Sequence, residues 1–328
     1  MRRLLIVILI AALGWFAYWF VISNIARSGY ESWFKDRQDE GWQAEYSDLQ
    51  LRGFPNRIDT TFENIALADP DTGLAWNAPF FQIFALSYRP NHLIAVWPKA
   101  QTLSTPMQDI AITSDDMKAS VVFAANTNVA LRRANFATND LQLSSDAEWS
   151  MSADNLRVAI SQDETTDTRY QVALQGQGVA PPASLRNDVL PEKMSALDLD
   201  ASLEFDRVWD LRALQERRPQ PTAIALRTAK AQWGPMLFQA AGDFTLDELG
   251  TLDGELTLRA KEWQSMIQIA RESQSIDPFV IDGAEQLMRL FSSLSGPGDD
   301  IDLKLTFKNG STYAGFLPLG PAPRLNLR

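Results

Sequence analysis

No charge interrupts the chain from Leu4 to Ile22, and Arg2 and Arg3 stand directly before that run. At about 1.5 Å per residue, a helix over it covers roughly 28 Å, close to the hydrocarbon thickness of a bilayer. The competing reading is a cleaved signal peptide, which shares the basic start and apolar middle. Three features favour an uncleaved anchor over residues 1–22. The run is longer than the apolar core of a signal peptide. Its small-residue cleavage site would end at Ala26, with bulky Asn24 two positions earlier. Its second half is aromatic, and Trp15, Tyr18, Trp19 and Phe20 are expected at a membrane–water interface. Arg2, Arg3 and the terminal amine hold the amino terminus in the cytoplasm, so the rest of the chain is exported. The expected setting is a bacterial inner membrane, crossed once, with the bulk of the chain in the periplasm.

Residues 23–44 keep helix-compatible composition and are expected to continue the anchor outward as a juxtamembrane stalk. From Tyr46 the period changes to two. Ile58, Thr60 and Phe62 alternate with polar neighbours, Asp69-Pro70-Asp71-Thr72-Gly73 is a turn, and Phe80 to Tyr88 is apolar on both sides. Short strands then recur at spacings of about ten residues, the signature of an all-β chain. Residues 45–328 are therefore read as one β-rich periplasmic domain. A subdivision is possible near 176–192, where Pro181, Pro182 and Pro191 gather. The fold class is mainly β: curved antiparallel sheets forming a groove, a sandwich or an open barrel, with a few packed helices and the amino-terminal membrane helix. Helices are expected over 206–217, 261–273 and 282–294. The sharpest local expectation is a hairpin at Asn309-Gly310 that pairs Lys308 with Ser311, Leu305 with Ala314 and Leu303 with Phe316. The proline-containing tail beyond it is extended and cannot be a central strand.

The chemistry is sparse. The chain has 30 basic and 41 acidic side chains and a formal net charge of −11, which argues against nucleic acid or an anionic membrane surface as a partner. It has no cysteine and one histidine, which excludes disulfides, thiolate metal sites and a zinc site of several histidines. His92 would have to serve any Ser–His–Asp triad, yet no Gly-x-Ser-x-Gly elbow is present. Asp69, Asp71 and Gly73 begin like a calcium loop, but the loop's sixth and twelfth positions are Leu74 and Phe80. Asp299 and Asp300 read as a solvated loop. No catalytic motif, metal site or cofactor is expected. The apolar side chains say more, because ten tryptophans are many for one chain. If the sheet curls, aromatic residues on its second face would line a groove, and Phe80, Phe84, Trp97, Phe123 and Trp149 are the candidates. A closed sandwich core is the alternative that periodicity does not separate from it.

Three phrases carry a resemblance: Gly53-Phe54-Pro55-x-Arg57; Trp76-x-Ala78-Pro79 leading into Ser87-Tyr88-Arg89-Pro90-Asn91-His92 and Trp97-Pro98; and Leu317-Pro318-Leu319-Gly320-Pro321-Ala322-Pro323. Together they resemble the alphaproteobacterial family called domain of unknown function 2125, which supplies no activity to carry over. More distantly, Gly242-x-Phe244-x-Leu246, Gly250-x-Leu252-x-Gly254-x-Leu256 and Trp263 look like AsmA-like envelope proteins. That likeness implies curved sheets around an apolar groove, associated with lipid movement or envelope homeostasis. The expected function is thus a membrane-anchored periplasmic protein that binds or helps move a lipid or other apolar ligand. The alternatives are an envelope scaffold without a ligand and, third, a hydrolase at the membrane surface. The expected partners are the bilayer, through residues 4–22, and an apolar ligand.

Overall fold

The computed structural model describes residues 2–186, 190–215, 217–272, 278–295 and 300–327. The chain is mainly β with antiparallel strand pairing, a few packed helices and one apolar amino-terminal helix, as its periodicity predicts. It divides into two compact units. The first takes residues 1–123 and 143–148, and the second takes 124–142 and 149–328. The division follows Phe123, whereas the proline-rich stretch 176–192 lies within the second unit. Residues 187–189 of that stretch are outside the described residues.

The first unit opens with one unbroken helix, α1 (Arg2–Asp39). Among the described helices it alone is long and apolar enough to cross a membrane, and almost none of its apolar window is buried against protein. Gly41 ends it. With φ at +91°, Gly41 donates its N–H to the Gln38 carbonyl while Trp42 donates to that of Arg37, a Schellman cap. The strands that follow are β1 (Gln43–Glu45), β2 (Asp48–Arg52), β3 (Arg57–Asp69), β4 (Leu74–Leu86), β5 (Arg89–Val96), β6 (Ala100–Thr105), β7 (Gln108–Thr113) and β8 (Lys118–Phe123). β3 takes β1, β2 and β4 as partners; β4 adds β5 and β6; β8 joins β5 and β7 joins β6.

The second half of α1, expected to stand clear as a stalk, packs on this sheet instead. Phe34 is buried among Ala44, Leu49, Phe62, Ile65 and Ala78, and Tyr30 stands edge-on to Phe62. Arg27 and Gln38 donate hydrogen bonds to the carbonyls of Leu49 and Ala44. The helix face is assembled by an unusual alternation. Ile58 pairs with Ala85, Thr60 with Ile83 and Phe62 with Phe81, so even positions of β3 share a face with odd positions of β4. Between the pairs Glu63–Phe80 and Ile65–Ala78 both strands change parity, and Ile65, Leu67, Ala78 and Trp76 take over that face. Asn64, at φ +47°, and Pro79, which has no N–H to pair, sit at the switch.

Strand β9 (Leu131–Ser145) contributes residues to both units. The second unit is an antiparallel meander of β10 (Ser150–Gln162), β11 (Arg169–Gln177), β12 (Ala196–Phe205), β13 (Pro221–Trp233), β14 (Met236–Leu246), β15 (Leu252–Lys261), β16 (Asp300–Lys308), β17 (Ser311–Ala314) and β18 (Leu317–Pro321), each paired with the next. Among the described residues three α-helices and a short 3-10 turn, Ala183–Leu185, interrupt it; the α-helices are α2 (Leu211–Gln215), α3 (Trp263–Glu272) and α4 (Pro278–Ser295). Trp263 and Ile267 of α3 and Ile281 of α4 are buried against Ala260, Ile301, Leu303 and Ala314. Arg271 ties α3 to α4 through Asp282 and Glu285, and hydrogen bonds from Arg271 and Arg289 hold the Glu285 carboxyl below its ordinary pKa.

The hairpin forms with Lys308 opposite Ser311 and Leu305 opposite Ala314. Its expected third pair does not form. The chain turns at Gly315, at φ +61°, leaving Phe316 99% exposed while β18 folds back on β17. The tail is extended, as expected, and two of its prolines lie in this last strand. Asp299 falls outside the described residues, whereas Asp300 begins β16.

Phe62 is 2% exposed and meets Tyr30, Phe34 and Tyr46. Phe62→Ala is expected to destabilise the first unit by about 3–5 kcal/mol, the usual cost of removing a buried phenyl ring. Denaturant titration of the full chain in detergent, followed by tryptophan emission, measures it.

Candidate functional site

A cleft of about 780 Å³ opens between α1 and the sheet of the first unit. The helix supplies Ile22, Ile25, Ala26, Gly29, Tyr30, Trp33 and Phe34, a stripe at helical spacing that begins where the apolar run ends. The sheet supplies Ile58, Phe62, Ile65 and Leu67 from β3, Trp76, Phe81, Ile83 and Ala85 from β4, and Pro90 and Leu93 from β5. Tyr30 is the one titratable side chain in this lining, and burial pushes its hydroxyl above the ordinary value, so it is neutral at physiological pH. The cleft therefore offers dispersion contacts and water exclusion to an occupant, with no charge and no nucleophile. Its volume is within the range of small-molecule sites.

Missing side-chain volume explains why the cleft is open. Where Tyr30 and Phe34 meet Phe62, the helix and sheet close on each other. Toward the apolar run, Ala26 and Gly29 face Ala85, and a Cβ placed on Gly29 would meet nothing within 4 Å.

The five residues expected to line a groove are not gathered here. Phe80 and Phe84 lie on the opposite face of β4, paired with Glu63 and Asp59, and the Arg57 guanidinium sits 5.3 Å above the Phe84 ring. Trp97 is not in the lining but touches it, its ring 5.2 Å from that of Phe81. Phe123 ends β8, where its carbonyl accepts a hydrogen bond from Asn91. Trp149 belongs to the second unit. Phe81, Ile83 and Ala85 were within reach of the sequence. The Asp69–Gly73 turn sets Asp69 opposite Leu74, and counting back from it pairs even β3 positions with odd β4 positions.

At the end of the cleft toward the apolar run, the helix aromatics are held by residues of two loops and the start of β3. Trp15 Nε1 donates to the Pro55 carbonyl at 3.0 Å, Trp19 Nε1 to that of Arg57 at 2.7 Å, and the Tyr18 hydroxyl to that of Ser87 at 2.6 Å. Phe16 and Trp19 stand edge-on to Phe54, with ring centroids 5.4 and 5.5 Å away. Phe20 completes the group against Phe16 and Trp19. Gly53 is required in this loop: its φ is +103°, and a Cβ there would lie 2.8 Å from the Arg57 carbonyl oxygen.

His92 is outside the cleft. Its Nε2 lies 2.9 Å from Ser120 Oγ on the neighbouring strand, and among the described residues no hydrogen bond reaches Nδ1 to orient the ring. Among the described residues no cluster of three or more histidines and carboxylates could hold a metal ion. A second, polar cavity of about 560 Å³ lies in the second unit, lined by residues such as Arg132, Asp167, Asp206 and Arg212.

Trp19→Phe keeps the ring contact with Phe54 but leaves the Arg57 carbonyl without its donor. We expect a loss of about 1–3 kcal/mol in the first unit, against a change within about 0.5 kcal/mol for the exposed Trp33→Phe, measured by denaturation in detergent.

A family model described as an uncharacterized protein conserved in bacteria (DUF2125) matches residues 19–323. The chain belongs to that family. No curated protein and no solved structure matches it.

Proposed function

We propose that this DUF2125 protein is anchored in a bacterial inner membrane by α1 and binds the apolar part of a lipid, or a comparable apolar molecule, in the cleft beside that helix on the periplasmic side. One observation carries the reading. The helix that is apolar enough to cross a membrane continues without a break into the wall of an apolar cleft, through Ile22, Ile25, Ala26 and Gly29. A ligand leaving the bilayer along α1 would stay in contact with apolar side chains, and burial would contribute about 0.8 kcal/mol per methylene. The docking of Trp15, Tyr18 and Trp19 onto loops of the sheet supports retention of the helix, because a cleaved leader has no part in the mature fold. Arg2 and Arg3 before the run support an exported sheet.

The test is mass spectrometry of organic extracts from the full-length protein purified in detergent, alongside Gly29→Trp. The wild-type protein is expected to retain lipid or fatty acid at near one equivalent, and Gly29→Trp, which fills the cleft, to lose most of it. Gly29→Ala, which adds helix propensity in open space, is expected to raise stability by about 0.5–1 kcal/mol and to keep the ligand. Extracts free of lipid, together with a copurifying envelope protein, would turn the reading to a scaffold. An alkaline-phosphatase fusion after Arg328 that is inactive would overturn the orientation.

A further inference from the structure

We infer that the two loops of the first unit carrying Phe54 and Tyr88 lie within the membrane leaflet nearest the sheet, alongside α1, with their arginines at the phosphate level. The inference rests on α1 crossing the bilayer and is independent of what the cleft holds. The first argument is length. The Phe54 loop is bonded to the helix at Trp15 and again at Trp19, and the Tyr88 loop at Tyr18 between them. The helix below them, Leu4–Gly14, spans only about 17 Å, against a hydrocarbon thickness of roughly 30 Å. The uncharged residues that complete the span, Trp15 to Ile22, are the ones the loops accompany. If the loops stayed in water, the bilayer would have to thin by nearly half its thickness around the helix.

The second argument is hydrogen bonding. Backbone polar groups in hydrocarbon must find partners within the protein. The Gly53 carbonyl accepts from the Arg57 N–H, and that of Asn56 accepts from the Ser87 N–H. The Pro55 carbonyl accepts from Trp15 and from the Ser87 hydroxyl, the Arg57 carbonyl from Trp19, and the Ser87 carbonyl from Tyr18. Pro55 and Pro90 have no N–H to satisfy. An exposed loop has water for these groups, and here side chains of the anchor replace it.

The third argument is surface chemistry. Phe54 and Tyr88 are 50% and 55% exposed, so both rings are free to meet acyl chains or headgroups. Residues 52–58 and 87–92 contain Arg52, Arg57, Arg89 and His92 and no acidic residue, within a chain of net charge −11. Arg57 is shared with Asp59, while Arg52 and Arg89 remain at the exposed margin, where guanidinium groups suit lipid phosphates.

The chain has no cysteine, so single positions can be labelled one at a time. The experiment uses full-length protein in phosphatidylethanolamine–phosphatidylglycerol vesicles containing spin-labelled acyl chains, with an environment-sensitive fluorophore at Ile10→Cys, Asn56→Cys, Tyr88→Cys or Leu74→Cys. Asn56→Cys leaves both loop aromatics in place, and Leu74 marks the opposite end of β4. The expected result is blue-shifted, strongly quenched emission at positions 10, 56 and 88 and water-like, unquenched emission at 74. Water-like emission at 56 and 88 with quenching at 10 overturns the inference and leaves the anchor standing. Water-like emission at all four positions overturns both. Neither outcome depends on whether lipid is extracted from the cleft.

Discussion

Everything in the first unit depends on the continuity of α1. A helix that ended at the membrane surface and passed into a flexible linker would leave the sheet free to tumble. Here the rod runs on to Asp39, is closed by the Gly41 cap, and is fixed to the sheet at both ends of its outer half. Phe34 and Tyr30 on Phe62 form the far attachment. The Trp15, Tyr18 and Trp19 donors form the near one. Apolar packing secures the first and directional hydrogen bonds the second, so the sheet's height and rotation about the helix axis are both set. The cleft is the stretch between these attachments.

The sheet adapts to the rod by changing which side chains face it. A strand of strict period two presents one set of residues along its whole length. β3 and β4 exchange their sets together at Asn64 and Pro79, so Ile58 and Phe62 face the helix on one side of the switch and Ile65 and Leu67 on the other. One strand switching alone would have broken the pairing, whereas a matched switch keeps the ladder in register. The consequence for the cleft is that both strands keep large apolar side chains toward the helix on both sides of the switch, with Thr60 the polar residue among them.

Much of this was legible from the residues. The apolar run, the ten-residue rhythm of short strands, the Asn309-Gly310 hairpin and the acidic, cysteine-free composition each have local causes. The groove residues did not. Phe80 to Tyr88 is apolar on both faces, so periodicity alone offers Phe80 and Phe84 as readily as Phe81 and Ile83. Only the register through the Asp69–Gly73 turn separates them. The docking of the helix aromatics was hidden for another reason. Trp15, Tyr18 and Trp19 suit a lipid interface by composition, and the carbonyls they bond lie 38 to 69 residues away in the sequence. The packed second half of α1 is hidden on the same ground: charges interrupt Asn24 to Asp39, and the face that Tyr30 and Phe34 form becomes meaningful once a sheet lies against it.

The cleft also has to be weighed against the ordinary tendency of protein interiors to close. Close packing is the default, and unfilled apolar volume forfeits dispersion contacts. Gly29 compounds that loss, because glycine inside a helix costs about 0.5–1 kcal/mol relative to alanine. Nothing in the fold requires it: a Cβ there would be unobstructed, and no turn or positive φ is involved. At Gly53 the reverse holds, since the backbone conformation and the Arg57 carbonyl both demand glycine. One glycine is thus explained by structure and the other is not. A position that lowers helix stability and keeps an apolar space open, on the one described helix long and apolar enough to cross a membrane, is what the proposed apolar ligand would account for.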